Sequence, residues 1–109
     1  MSKHQRITNL ALVITVGAFQ HLIAAESENS DAAATYQLVC YACHGTGQAH
    51  APIVGEAIEW EIRLEKGMDT LVKNTIEGLN GVMPARGFCA VCSDENLKAI
   101  VEYMIEQSQ

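Results

Sequence analysis

The sequence predicts an all-α domain of three or four helices. Beyond residue 25, apolar side chains recur at intervals of three and four residues, and glycine and proline separate these stretches. No stretch alternates apolar and polar residues as a half-buried strand does. The 84 residues that follow residue 25 form a single domain. So short a chain often needs a disulfide, a metal or a cofactor for stability.

The first 25 residues have the pattern of a secretory signal. Lys3 and Arg6 precede an uncharged, largely apolar stretch that closes with Ala24 and Ala25. We therefore predict a signal peptide at residues 1–25, cleaved on export. The alternative is an uncleaved anchor that holds the protein at a membrane, because the nineteen residues from 7 to 25 could just span a bilayer.

The predicted mature part, residues 26–109, is distinctly acidic. All thirteen acidic residues but only five of the seven basic residues lie in it, which gives a formal charge of minus eight. This balance argues against nucleic acid as a partner. It favours partner proteins with basic docking patches, although solubility alone would explain the charge equally well.

Four helices are predicted along the mature part, from local patterns. The first runs from about Asp31 into a Cys-x-x-Cys-His motif, and a loop rich in glycine follows it. The second spans Glu56 to Lys66, with Ile58, Trp60 and Ile62 on a partly apolar face. The third spans Met68 to Leu79, with Leu71, Val72, Thr75, Ile76 and Leu79 on one stripe. Ser93 is the predicted cap of the last helix, whose apolar positions are Leu97, Ile100, Val101, Met104 and Ile105.

The motif Cys40-Tyr41-Ala42-Cys43-His44 is the attachment pattern of a c-type haem. Two thiols at this spacing can form thioethers with the two vinyl groups of a porphyrin, while the imidazole reaches the iron. Because Cys40 and His44 lie four residues apart, they share one face of a helix. We therefore predict one covalent haem c on Cys40 and Cys43, with His44 as an axial ligand of the iron.

Met83 is the predicted second axial ligand. Pro84 follows it and disfavours a helix at Met83, so the thioether can point away from the chain. Met68 and Met104 lie in helical patterns, where methionine more often fills a core. A histidine and a methionine would occupy both axial positions, which leaves one-electron transfer rather than chemistry on a bound substrate. We therefore predict an electron carrier and not an enzyme.

A second Cys-x-x-Cys pair, Cys89 and Cys92, is followed by Ser93 instead of histidine. It is therefore not a second haem motif. In an exported protein the favoured interpretation is a disulfide that fixes the turn before the last helix. A redox-active dithiol is the alternative.

These residues together resemble the small monohaem class I cytochromes c of bacteria, and among them the cytochrome c5 type. The resemblance covers essentially the whole mature part. It is carried by the haem motif, Ala51-Pro52, Trp60, Gly67-Met68-Asp69-Thr70-Leu71, Gly78-Leu79-Asn80-Gly81, Met83-Pro84 and the run from Cys89 to Glu95.

The resemblance implies the cytochrome c fold, in which the first and last helices cross and Tyr36 or Val39 meets Tyr103 or Met104. It also implies haem on Cys40 and Cys43, axial ligands His44 and Met83, and a disulfide between Cys89 and Cys92. Trp60 would donate its ring nitrogen to a haem propionate. Such proteins carry electrons in the periplasm, from respiratory donors to terminal oxidases or reductases.

Two other functions remain open at this point. A haem enzyme or gas-sensing domain would require an open position on the iron, and a structural zinc protein could use the four cysteines. Weak pairing of two copies through apolar residues at the haem edge is also open. The sequence names neither the electron donor nor the acceptor.

Overall fold

The computed structural model describes residues 31–109, and the fold there is helical. The predicted signal peptide at residues 1–25 lies outside these residues. Four helices are present: α1 at 31–44, α2 at Ala57–Leu64, α3 at Met68–Glu77 and α4 at Asp94–Glu106. Short 3₁₀ turns stand at Gln48–His50 and Ala85–Phe88. Within residues 31–109 the only pairing of strand type is an isolated bridge between Leu79 and Met83, so the all-α prediction is confirmed.

Helix α1 contains a widened turn that the sequence does not predict. Residues Tyr36–Cys40 form a π-helical turn, closed by a hydrogen bond from Tyr41 N to the Tyr36 carbonyl, and Tyr41–His44 then returns to α-helix. Such turns are rare and occur often at functional sites. Here the wide turn leads directly into the cysteine and histidine motif.

Helix α4 begins and packs as predicted. Ser93 accepts a hydrogen bond from Asn96 N through its hydroxyl, and the Asn96 side chain accepts one from Ser93 N, which completes a capping box. The buried residues of α4 are the five that the three-four pattern predicts: Leu97, Ile100, Val101, Met104 and Ile105. Leu97 and Ile100 are the most deeply buried of the large side chains.

The first and last helices meet through their aromatic side chains. The rings of Tyr36 and Tyr103 lie 5.6 Å apart between centroids, and Tyr36 is buried with Ala32, Ile100 and Met104 in one apolar cluster. The contact predicted from the family resemblance is therefore confirmed. Helix α3 packs against α4, against α2 and against the Ala85–Phe88 turn.

The two middle helices correct the prediction in part. Helix α2 turns Trp60 inward, whereas Ile58 and Ile62 are 73% and 55% exposed. The reason is geometric, because residues two apart in a helix point about 200° apart and cannot share a face. Helix α3 ends at Glu77 instead of Leu79, since Gly78 has a φ of 83° that does not continue a helix.

The burial of Tyr36 predicts a pH-dependent loss of stability. Burial, and secondarily Tyr103 and other neighbours, raise the pKa of Tyr36 above its ordinary value of 10.0. Above pH 10 the unfolded chain therefore releases a proton that the folded protein retains, so the free energy of unfolding falls as pH rises. Tyr36→Phe should remove this part of the fall, which denaturant unfolding at a series of alkaline pH values would measure.

Tyr41→Phe is the matched control, because Tyr41 contacts the Tyr36 ring but is 46% exposed. It should keep most of the alkaline slope of the unaltered protein, because Tyr41 is the smallest of the causes that raise the pKa of Tyr36. Equal slopes for Tyr36→Phe and Tyr41→Phe would show that the buried phenol does not contribute.

Candidate haem site

Cys40, Cys43 and His44 lie together at the end of α1. Both thiols are free and partly buried. Burial raises the pKa of the Cys40 thiol, and the neighbouring Cys43 raises it further, which indicates that the two sulfurs lie close to one another. The last turn of α1 thus presents two thiols and an imidazole side by side, as the sequence predicts.

One ring nitrogen of His44 is already engaged by the protein. Nδ1 lies 2.9 Å from the carbonyl oxygen of Pro52, so Nδ1 carries the proton and donates it. The Nε2 lone pair is then left for a metal. Burial lowers the pKa of His44, the charge of Arg63 also lowers it, and the hydrogen bond to Pro52 opposes them. The imidazole is therefore neutral at neutral pH, which is the form that binds a metal.

The loop at residues 52–55 holds His44 through a series of hydrogen bonds. Pro52 accepts from the ring, and Val54 N donates to the His44 carbonyl at 2.8 Å. Gly55 N donates to the hydroxyl of Ser108 at 3.0 Å, and that hydroxyl donates to the Met104 carbonyl at 2.7 Å. Ser108 is a buried polar residue. The loop that orients His44 is thus fastened to the end of α4.

Trp60, the predicted donor to a haem propionate, binds a carbonyl of this loop through its ring nitrogen. Its indole Nε1 donates to the Ile53 carbonyl at 2.9 Å, so its single ring hydrogen already has a partner inside the protein. The ring is 5% exposed, and its centroid lies 6.1 Å from that of His44. Trp60 therefore packs beside the imidazole and supports the loop that carries Pro52.

Met83 lies at the end of a tight turn that the sequence encodes. Leu79 N donates to the Met83 carbonyl at 2.9 Å, and Met83 N donates back to the Leu79 carbonyl at 3.1 Å. Asn80 and Gly81 have φ values of 53° and 65°. Asn-Gly is the preferred pair for a turn with two positive φ angles, so it explains this geometry. Both backbone groups of Met83 are thereby fixed.

The Met83 segment and the haem motif are neighbours in space. The Ala85–Phe88 turn, which follows Met83 and Pro84, contacts the π-helical turn Tyr36–Cys40. The methyl group of Met83 lies beside Gly87, since a Cβ placed there would be 3.6 Å from it. The fold thus brings together two motifs whose proposed ligands, His44 and Met83, are separated by 39 positions in the sequence.

Cys89 and Cys92 have a different environment from the first cysteine pair. Their sulfurs are bonded to one another in the structure, and both residues are buried within the apolar cluster. Ser93 follows them and caps α4 instead of supplying an imidazole. Within residues 31–109 no three histidine, cysteine or acidic side chains gather in a group that could hold a metal ion.

The two arginines near the site have carboxylate partners within the protein. Arg63 binds Glu59 in α2, with an N–O distance of 2.8 Å, and Arg86 binds Asp94 at 2.7 Å. Sequence reasoning missed the roles of Pro52, Ser108 and Arg86. The Ala51-Pro52 pair belongs to the family resemblance and could have pointed to Pro52. Nothing near Ser108 in the sequence indicates that its hydroxyl binds Gly55, 53 residues away.

Comparisons with known proteins agree with this geometry. Residues 27–104 match the family model described as "Cytochrome C oxidase, cbb3-type, subunit III". Cytochrome c-555 of Chlorobaculum tepidum is 37% identical over 106 residues, which cover 94% of this chain and 93% of that protein. Cytochrome c5 of Azotobacter vinelandii is 46% identical over 67 residues, which cover 60% of this chain and 80% of that protein.

The fold of this chain is also similar to that of a solved structure. The chain matches the structure titled "Crystal structure of electron transfer complex of nitrite reductase with cytochrome c" with a TM-score of 0.68 and 33% identity. The match covers 72% of this chain and 95% of the other.

The chain belongs to the small monohaem class I cytochromes c. Its relatives of the c5 and c-555 types are electron-carrier proteins with a covalently bound haem c, and they are not enzymes. The predictions of haem c and of electron transfer are confirmed at this level. The free thiols of Cys40 and Cys43 and the neutral imidazole of His44 fit that cofactor.

The absence of a side chain at Gly78 lets the Met83 segment pack closely against the end of α3. A Cβ at Gly78 would lie 2.9 Å from the Met83 carbonyl oxygen and 3.0 Å from Ala85 N, both of them backbone atoms. Gly78→Ala should therefore displace Met83 as well as strain its own backbone, whose φ is 83°. Denaturant unfolding of the haem-loaded protein would measure the loss.

Gly67→Ala is the matched control. Gly67 has a similar φ of 86°, but a Cβ there would meet nothing within 4 Å. Gly78→Ala should cost about 1–3 kcal/mol more than Gly67→Ala, as crowding of a packed site does. Equal losses would contradict a close approach of Gly78 to the Met83 segment.

Proposed function

We propose that this protein is an exported one-electron carrier whose haem c is attached through Cys40 and Cys43, with His44 and Met83 as axial ligands. The observation that carries the proposal is the hydrogen bond of His44 Nδ1 to the Pro52 carbonyl. It supports a neutral imidazole that directs Nε2 to a metal. The adjacent free thiols support covalent attachment at the same helix turn.

The chain's own residues confine the site to electron transfer. Haem c, when bound, supplies an iron that changes by one electron between its ferric and ferrous forms. His44 and Met83 would hold the iron from the protein, and with both bound neither oxygen nor a substrate would find an open position. The thioether of Met83 is a soft ligand and favours the ferrous form, and burial of the site acts in the same direction. The hydrogen bonds on both ligand segments keep the geometry similar in the two states.

The location and the partners follow from the same proposal. The signal pattern at residues 1–25 supports export to the periplasm, where the bond between Cys89 and Cys92 would persist. The structural relative binds a nitrite reductase, which supports a redox enzyme as a partner for this chain. The charge of minus eight in residues 26–109 supports a basic docking patch on that enzyme.

Met83→Ala tests the ligand assignment. It should lower the reduction potential by on the order of 0.1 V, because axial ligands set haem potentials over about 0.8 V. The ferrous variant should also bind carbon monoxide, which the unaltered protein should ignore. A spectroelectrochemical titration, repeated under carbon monoxide, measures both.

Met68→Ala is the control, since Met68 is a second sulfur near the core. It should lose some stability but keep the potential and the closed iron. If Met83→Ala kept both properties, another group would be the ligand. If the unaltered protein bound carbon monoxide readily, a haem enzyme or gas sensor would replace the electron carrier.

A further inference from the structure

Arg86 adopts an unusual backbone conformation three residues after Met83. Its φ is 60°, in the left-handed region that residues with a side chain rarely occupy. Such a conformation costs free energy and persists only where the surroundings hold it in place. The structure shows what holds Arg86.

The guanidinium of Arg86 bridges two groups on the far side of the turn. Nη1 donates to Asp94 Oδ1 at 2.7 Å, and Nη2 donates to the Cys92 carbonyl at 2.7 Å. Asp94 is the first residue of α4, and Cys92 is bonded to Cys89. The side chain of Arg86 is 33% exposed; its bond to the Cys92 carbonyl is partly buried, whereas its ion pair with Asp94 is open to water.

The backbone continues the same connection towards Met83. Cys89 N donates to the Arg86 carbonyl at 2.9 Å, and Gly87 N donates to the Pro84 carbonyl at 3.0 Å. Within the segment from Pro84 to Asp94, Arg86 therefore makes hydrogen bonds with Cys89, Cys92 and Asp94, and the Gly87 bond closes the turn beside it. On the other side of Met83, the paired hydrogen bonds with Leu79 fix the chain. Met83 thus lies between two anchors, and Arg86 supplies the second one.

We propose that Arg86 is a positioning residue that ties the Met83 segment to the start of α4 and so opposes displacement of Met83 by external ligands. The proposal rests on the assignment of Met83 as an axial ligand. It adds a cause for the retention of that ligand, namely the bridge from Arg86 to Asp94 and Cys92.

The shape of the arginine side chain matters to this bridge. A guanidinium is a planar fork whose separate N–H groups can reach two acceptors at once. Asp94 and the Cys92 carbonyl each take a different nitrogen. A lysine would carry the charge on a single nitrogen, so it would not reproduce both bonds at these positions.

Loss of the bridge should raise the apparent affinity of the haem-loaded protein for an external ligand that competes with Met83. An external ligand binds only when Met83 has moved away, so its apparent affinity is proportional to the population of that open form. Two charge-assisted bonds at a partly exposed site correspond to about a tenfold change in this population. The bridge therefore predicts a measurable change in ligand affinity.

The test is titration of the ferric, haem-loaded protein with imidazole. Arg86→Gln should lower the apparent dissociation constant for imidazole about tenfold. Arg86→Lys should give a partial effect, and Asp94→Asn, which leaves the bond to Cys92, should give a smaller effect than Arg86→Gln. The double variant Arg86→Gln with Asp94→Asn should change the imidazole affinity by less than the sum of the two single changes in free energy, because both substitutions remove the same ion pair.

Lys98→Gln is the control. Lys98 pairs with Glu102 within α4 at an N–O distance of 3.8 Å, so its loss removes one positive charge and one ion pair but leaves the bridge of Arg86 in place. It should leave the affinity for imidazole unchanged. Haem content and far-ultraviolet circular dichroism identify any variant that fails to fold, and Asp94→Asn then carries the test.

Two results would overturn the proposal. One is an unchanged imidazole affinity in Arg86→Gln, and the other is an equal change in Lys98→Gln. Both results can be distinguished from a wrong assignment of Met83 as a ligand. If Met83 were not a ligand, the unaltered ferric protein would lack the weak long-wavelength absorption of a thioether bound to iron.

Discussion

The site depends first on the hydrogen bond between His44 Nδ1 and the Pro52 carbonyl. It selects the tautomer of the imidazole and directs the free lone pair. The loop that supplies Pro52 is itself held by Trp60, through the Ile53 carbonyl, and by Ser108, through Gly55 N. Since Ser108 follows the end of α4, the packing of the last helix bears directly on the orientation of the His44 ring.

The position of Met83 is fixed by turns and hydrogen bonds, because Met83 does not lie in a helix. A turn at Asn80 and Gly81 returns the chain so that Leu79 binds both backbone groups of Met83. Gly78 permits close approach of this turn, and Arg86 connects the following segment to α4. The segments that carry His44 and Met83 are therefore both fastened to α4, so even a small domain fixes the positions of the two proposed ligands.

The sequence predicts those features that depend on neighbouring residues. The cap at Ser93, the buried face of α4 and the loop after His44 follow from local patterns. The buried face of α2 was predicted correctly only for Trp60, because a short helix with apolar residues on two faces does not indicate which face is buried. The partner of the Trp60 ring nitrogen and the bond from Gly55 to Ser108 require tertiary contacts, which local patterns do not specify. Arg86 gave no local signal because its acceptors depend on how the turn folds.

The most direct test of this account is where haem is attached. The protein would be exported from a host with haem-maturation machinery, extracted with acidified solvent to strip any non-covalent haem, digested, and analysed by peptide mass mapping. The account predicts one haem on the peptide that contains Cys40 and Cys43, and none on the peptide that contains Cys89 and Cys92. Haem on the second peptide, or on neither, would contradict it.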